Sequence, residues 1–416
     1  MKIKTLLPVF TFLAAISLLA PGCLRDKCTS KQTFVRFEPV YLAVAEMRAD
    51  LTVEAPRTLD KTGKIYAYGS FLFINEQKEG IHVIDNSNPA NPKNITFWRI
   101  KGNVDMAIRN NILYADQYTD LLSIDISNMS NPSQVCRETN VFKLLGYDVY
   151  RGFLVDYKRT EETITLDCDD NRAGMGWFME GDVVFANNQS FDASGGSSAS
   201  LPSGIAGSYA RFGVVNDYLY TLDQSSMKTW SVQGGACPVQ LDSVYVGWAI
   251  ETLFPWKDRL FIGSQNAVYV FNNQNPQRPT LETTFWHATG CDPVVCDDKY
   301  AYVTVHDDTP CNGNNDNLLL VVGIEHLPAT SELARYNMKR PKGLSVRGEK
   351  LFLCDDGLKI YDKSNPLEIQ LLAHLKGIET YDVISLDANH LILTGPGYLS
   401  QYDVSDPANP REISRL

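Results

Sequence analysis

Short apolar runs separated by turn-forming residues dominate the chain, and residues 63–100 show the unit most clearly. Ile65-Tyr66-Ala67-Tyr68 is followed by Gly69-Ser70, and Phe71-Leu72-Phe73-Ile74 by Lys78-Glu79-Gly80. Ile81-His82-Val83-Ile84-Asp85 comes next, then Asn86-Ser87-Asn88-Pro89, and Ile95-Thr96-Phe97-Trp98 closes the unit. β-Branched and aromatic runs punctuated by Gly, Asn and Pro predict four strands joined by tight connections. Pro89 and Pro92 have no N–H to give to a ladder, which places them between the third and fourth strands.

The unit returns. Ile124-Asp125-Ile126-Ser127-Asn128 and Tyr361-Asp362-Lys363-Ser364-Asn365-Pro366 repeat its third strand and tail. Tyr402-Asp403-Val404-Ser405-Asp406-Pro407-Ala408-Asn409-Pro410 is the clearest echo, and Phe271-Asn272-Asn273-Gln274-Asn275-Pro276 a degenerate one. A period of about forty residues with four strands per unit predicts an all-β chain folded as a β-propeller, whereas a β-sandwich of short strands would show no fixed period. Innermost strands are expected to begin near Lys64, Asp105, Tyr147, Tyr209, Ile250, Asp292, Gly343 and Asp382. Those starts give eight four-stranded blades, or seven if the weak Tyr147 unit is an insertion.

The Ile-Asp-x-Ser-Asn-Pro-Ala-Asn-Pro pattern resembles the LVIVD repeat family of Bacteroidetes type, over residues 50–416. The resemblance implies a propeller in a surface or secreted protein and implies no particular activity. It also implies a disulfide between Cys291 and Cys311, because a Cys-Asp-Pro-Val opening followed by a later loop Cys looks recurrent in the family. Residues alone leave the pairing open, since eight cysteines besides Cys23 allow 105 connectivities. Cys296 and Cys354 lie in apolar contexts and are expected as buried thiols.

The start of the chain changes the picture from fold to location. Met1-Lys2-Ile3-Lys4 is basic, residues 6–20 are apolar, and Gly22 precedes Cys23. This pattern predicts a lipoprotein signal peptide over residues 1–22, with Cys23 as the acylated residue. Residues 23–62 form a tether and lead-in, residues 63–416 the propeller, and an irregular insertion runs from about 168 to 207. The protein is expected in the bacterial cell envelope, held to the outer membrane through the lipid alone, as a monomer. A net charge of −11 without a Lys/Arg run argues against nucleic acid as a partner.

Candidate chemistry is sparse. Asp105, Asp148, Arg211, Glu251, Asp292 and Asp382 open predicted innermost strands and would gather at one mouth of the channel. There they could bind a ligand or serve as acids and bases, or simply cap strand ends. Trp177 and Phe178 in the insertion could stack on a sugar or a partner, or plug the propeller. The loop 306–317 is rich in oxygen ligands, but Pro310 and Leu319 fall where an EF-hand wants ligands, and no metal or cofactor is expected. His-Glu-x-x-His, Gly-x-Ser-x-Gly and Cys-x-x-Cys are missing from the sequence. The expected function is therefore a non-enzymatic envelope propeller that binds or scaffolds a protein or glycan. The alternative is a hydrolase or lyase on extracellular polysaccharide, which requires Asp105, Asp148 and Asp382 to converge in a concave pocket.

Overall fold

The computed structural model describes residues 28–143, 145–167, 170, 172, 177–180, 182–186, 205–287, 293–306 and 317–416. Cys23, Cys291, Asp292 and Cys311 lie outside the described residues. By contacts the chain divides into two compact units, residues 1–38 with 158–190 and residues 39–157 with 191–416.

The larger unit is built of antiparallel meanders. In the first, Thr62–Tyr68, Phe71–Glu76, Gly80–Asp85 and Lys93–Arg99 pair in order. Two strands extend this sheet: Ile205–Ala206 on its inner edge and Thr52–Glu54, from the lead-in, on its outer edge. Six further meanders of four strands follow, with first strands Met106–Arg109, Phe212–Val215, Ile250–Trp256, Val294–Cys296, Leu344–Arg347 and Asp382–Ser385. Each first strand touches the next in that order, and the last touches Thr62–Tyr68. Met106–Arg109 meets Phe212–Val215 directly, although about a hundred residues of chain run between them.

Strand burial explains the hydrophobic pattern. The second and third strands are sandwiched on both faces and are apolar almost throughout, as in Phe71–Glu76 and Gly80–Asp85. Most fourth strands are more exposed, and in Ser331–Asn337 only the fourth and sixth residues are shielded. The repeated tail is a pair of Asx turns. Asp85 Oδ1 accepts Ser87 N–H at 2.9 Å, and Asn88 Oδ1 accepts Ala90 N–H at 3.1 Å. The same two bonds recur at Asp125 and Asn128, Asn272 and Asn275, Asp362 and Asn365, and Asp403 and Asp406. A carboxylate or carboxamide two residues before an N–H is what closes such a turn, so the signature residues of the repeat serve folding.

The chain departs from this pattern after Glu138. Gly146–Asp148, the strand of the Tyr147 unit, belongs to a five-stranded sheet in the order Gly146–Asp148, Gly152–Asp167, Thr29–Leu42, Val183–Ala186, Trp177–Glu180. Its long strands of 16 and 14 residues differ from the short strands of the meanders. Trp177 and Phe178 pair along the backbone with Ala186 and Phe185 in that sheet.

A disulfide spans this excursion. Cys136, on the outer strand Ser133–Glu138, is bonded to Cys237, which precedes the strand Val239–Tyr245, and the two are 101 residues apart. Cys296 and Cys354 are free and buried, as their apolar neighbours led one to expect. Closing a loop of that length restricts the unfolded chain strongly. Replacing both Cys136 and Cys237 by Ser should lower unfolding free energy by about 2–4 kcal/mol in denaturant titrations. Reducing agent should then shift the wild-type midpoint more than that of the double variant.

Candidate functional site

The first strands of the larger unit bring Lys64, Asp105, Arg211 and Asp382 to a common position near the start of each strand. A short segment crosses between them. Ile205 and Ala206 pair with Ala67 and Tyr66, and Gly207 N–H donates to Ile65 O at 3.2 Å. The Ser208 hydroxyl donates to Asp382 Oδ1 at 2.9 Å and accepts Leu344 N–H at 2.9 Å. Lys64 Nζ donates to Tyr209 O. Arg211 N–H and, at 3.3 Å, Phe212 N–H then donate to Asp105 Oδ2, while Asp105 Oδ1 accepts Met106 N–H at 2.7 Å. Residues 205–212 are thus tied to the first, second, sixth and seventh of the first strands described above. Gly207 and Gly343 make room for Asp382, because a Cβ on either would overlap its carboxylate.

Burial controls the electrostatics of this cluster. It pulls the Lys64 ammonium down to about 7, against the opposing attraction of Asp105 and Asp382. It pushes Asp382 up to about 6, although the Ser208 hydroxyl and N–H favour its charge, and it raises Asp105 too. Asp382 Oδ2 is buried without a hydrogen-bond partner, which fits a group that readily holds a proton. Asp116 is likewise pushed up to about 6 by burial, with Oδ1 accepting from Val104 and Asp105 N–H and from Asn103 Nδ2 at 2.8–2.9 Å.

Asp148 and Glu251 are held by other partners. Asp148 caps its own turn, taking Tyr150 and Arg151 N–H at 2.9 Å and pairing with the Arg151 guanidinium at 3.1 Å. Glu251 is half-buried and accepts from Gln265 Nε2 at 3.2 Å. Asp105 and Asp382 are enclosed around Lys64, so Asp105, Asp148 and Asp382 do not share an open pocket.

An open feature adjoins the cluster. A cleft of about 150 Å³ is lined by Lys78, Tyr118, Phe142, Lys143, Arg211 and Asp223, with Asp116 at its base. Lys78, Tyr118 and Asp223 sit in the corresponding second-to-third-strand turns of the first three meanders. Lys78 and Tyr118 both take left-handed backbone, φ 62° and 54°, a costly conformation for side chains of their size. Gly102 lets the Tyr118 ring lie flat against the chain, since a Cβ there would overlap the ring. Lys78 Nζ pairs with Asp156 at 2.7 Å, Lys143 Nζ reaches Ser225 Oγ at 3.1 Å, and Arg211 Nε is buried without a partner. Phe142 stacks on Phe212 at 5.6 Å. Arg211 joins the cleft to the buried cluster.

Sequence reasoning found Arg211 and the enclosed acids but missed Lys64, Asp116, Ser208 and the cleft turns. Lys64 was legible as a second basic residue, beside Arg211, at a strand start whose counterparts are Asp105 and Asp382. Among the described residues, Cys136, Glu138 and Cys237 form the one group at metal-ligand spacing, and its two sulfurs are bonded to each other.

Lys64→Met should leave Asp105 and Asp382 as buried anions without their counter-ion. The folded pKa of Asp382 lies above that of the unfolded chain, so the folded state takes up the proton first as pH falls. Burial holds the Lys64 ammonium at about 7, so the amine is largely neutral at pH 8; the variant should lose about 3–5 kcal/mol at pH 6.5, where ammonium and carboxylates are charged together, and clearly less at pH 8, measured by denaturant unfolding at both values. Gly207→Ala should destabilise at both pH values alike, because its defect is steric.

Three solved structures set this architecture in context. A protein from Lactobacillus plantarum superposes with a TM-score of 0.53 at 10% identity, covering 85% of this chain and 96% of its own. The periplasmic gluconolactonase of Pseudomonas aeruginosa gives 0.54 at 10% identity over 85% and 96%. Hsv2 of Kluyveromyces marxianus gives 0.50 at 8% identity over 86% and 99%. At such identities the likeness concerns the fold alone. No curated protein matches the sequence. The family described as LVIVD repeat matches residues 61–96 and 104–138, the first two meanders, so the chain carries LVIVD repeats on a β-propeller fold.

Proposed function

We propose that this protein is a non-enzymatic, lipid-anchored propeller of the bacterial cell envelope that binds a protein or glycan ligand through its cleft face. One observation carries the reading. Asp105 and Asp382, the channel acids a hydrolytic site would need, are buried inside the fold, with both Asp105 oxygens and Asp382 Oδ1 committed to backbone N–H groups and to Ser208. What is offered outward is the neighbouring cleft, which combines aromatic faces, cations and strained turns, the composition of a recognition site.

Seven blades are the count this reading takes. It is supported by the closed order in which seven first strands touch, with the Tyr147 strand in a sheet of another kind. Envelope location is supported by the basic-apolar-Gly22-Cys23 start and by a disulfide of the type that persists in oxidising compartments. No helix among the described residues is long and apolar enough to cross a membrane. Acylation at Cys23 is the attachment proposed, to the outer membrane, on the pattern of that start.

Two outcomes are expected. Cys23→Ser should move the protein from the membrane pellet to the soluble fraction and abolish incorporation of labelled palmitate. Affinity capture of the wild-type protein from its native envelope, with mass spectrometry and glycan analysis, should recover a ligand that is lost on Lys143→Ala. Unchanged recovery by that variant would move the binding face elsewhere, and turnover of the recovered ligand would replace binding by catalysis.

A further inference from the structure

The turn at residues 223–225 has two sides. Asp223 and Gln224 line the cleft. The carbonyls behind them hold the next loop: Ser225 O accepts Val246 and Gly247 N–H at 2.9 and 3.4 Å, and Gln224 O accepts Ile250 N–H at 3.2 Å. That loop carries Trp248, which is 80% exposed. Gly247 lies against the Tyr269 hydroxyl, too close for a Cβ, and Tyr269 meets Trp286 edge-on at 6.3 Å, with Trp286 64% exposed. Ala249, next to Trp248, is left-handed at φ 49°, as Lys78 and Tyr118 are. Glu251 and Gln265 are hydrogen-bonded beside this loop, and Ala249 O accepts Gln265 N–H at 3.3 Å. One turn therefore joins a ring-sized polar cleft to a solvent-facing aromatic shelf with amide and carboxylate groups at its foot.

The occupant can be argued from these parts. The cleft is well below the roughly 300–1,000 Å³ of a drug-sized site, so it takes one small unit of a longer ligand. Lys143 and Arg211 bring an ammonium and a guanidinium to its lining, and Lys143 is exposed. The acids present are turned inward: Asp116 Oδ1 serves three donors and Asp223 Oδ1 accepts Gln224 N–H at 2.6 Å. A carboxylate is the group that satisfies a guanidinium and an ammonium together. The exposed indoles of Trp248 and Trp286 offer flat apolar faces, which suit the C–H faces of sugar rings, while side-chain amides and carboxylates suit their hydroxyls.

We propose that the cleft and the Trp248 shelf form a single site for an acidic oligosaccharide, with a uronate unit on Arg211 and Lys143 and the adjoining ring stacked on Trp248. This rests on the binding-module reading and names its ligand class. The test is calorimetric titration of the full mature protein with trigalacturonate, an alginate trimer and a hyaluronan tetramer, with maltotriose as the neutral probe. Tryptophan fluorescence is recorded in parallel. At least one acidic probe should bind and shift the emission, weaken with salt, and bind at least tenfold less tightly to Lys143→Ala and to Trp248→Ala. Both residues are exposed, so folding of the variants is checked simply by their unchanged melting temperatures. Equal binding of maltotriose would overturn the acidic class, and variants that bind like wild type would overturn the location. Failure of all acidic probes, with a protein recovered by envelope capture, would overturn the glycan assignment while leaving the binding module in place. Cleavage of a probe would overturn the binding-module reading itself.

Discussion

A buried ammonium must be matched by buried negative charge, and the Lys64 side chain imposes that condition on the middle of this fold. Its desolvation would be prohibitive alone. Asp105 and Asp382 offset it, and each also binds the backbone of residues 205–212. Charge balance and chain path are therefore one problem with one solution. The chain re-enters the larger unit along the inner edge of Thr62–Tyr68, passes Asp382 at Gly207 and Ser208, and reaches Asp105 at Arg211 before starting the next meander. Gly207 and Gly343 are small because the Asp382 carboxylate occupies the space their side chains would take.

Much of the fold was legible because its repeat is a local device. Two Asx turns close each tail with side chains two residues away from the N–H they bind, so residues such as Asp85 and Asn88 report structure from a few positions of sequence. Burial of the second and third strands on both faces likewise appears as continuous apolar runs. The channel was legible in part: the equivalence of Asp105, Arg211 and Asp382 follows from counting strand starts. Their roles did not, because these depend on residues 205–212 lying across strands more than a hundred positions distant, and no pattern along the chain encodes that pairing. The Tyr147 unit shows the same limit of local reading. Tyr147-Asp148-Val149 followed by Gly152-Phe153-Leu154 has the strand–turn–strand form of a blade, but its second strand runs on to Asp167 and is placed in sheet order beside Thr29–Leu42, from before the repeats.

The same separation of local and distant effects explains where a binding face arises. Meander turns are closed locally, yet Lys78, Tyr118 and Asp223 converge because equivalent turns of successive meanders come together at one end. Left-handed backbone recurs in these turns, at Lys78, Tyr118, Asp356 and Gly397, so the conformation belongs to the turn while the side chain it carries differs from meander to meander. Arg211 couples the two levels, with its backbone held by Asp105 and its side chain on the cleft. Structure and recognition thus meet at one residue.

Hydrogen–deuterium exchange at the amides of Gly207, Ser208, Arg211 and Phe212 tests the central claim most directly. If these residues are locked across the first strands by Ile65, Asp382 and Asp105, their amides should exchange as slowly as those of Phe71–Glu76 and Gly80–Asp85. Exchange as fast as an exposed loop would contradict the buried network, and with it the structural role assigned to Lys64, Asp105 and Asp382.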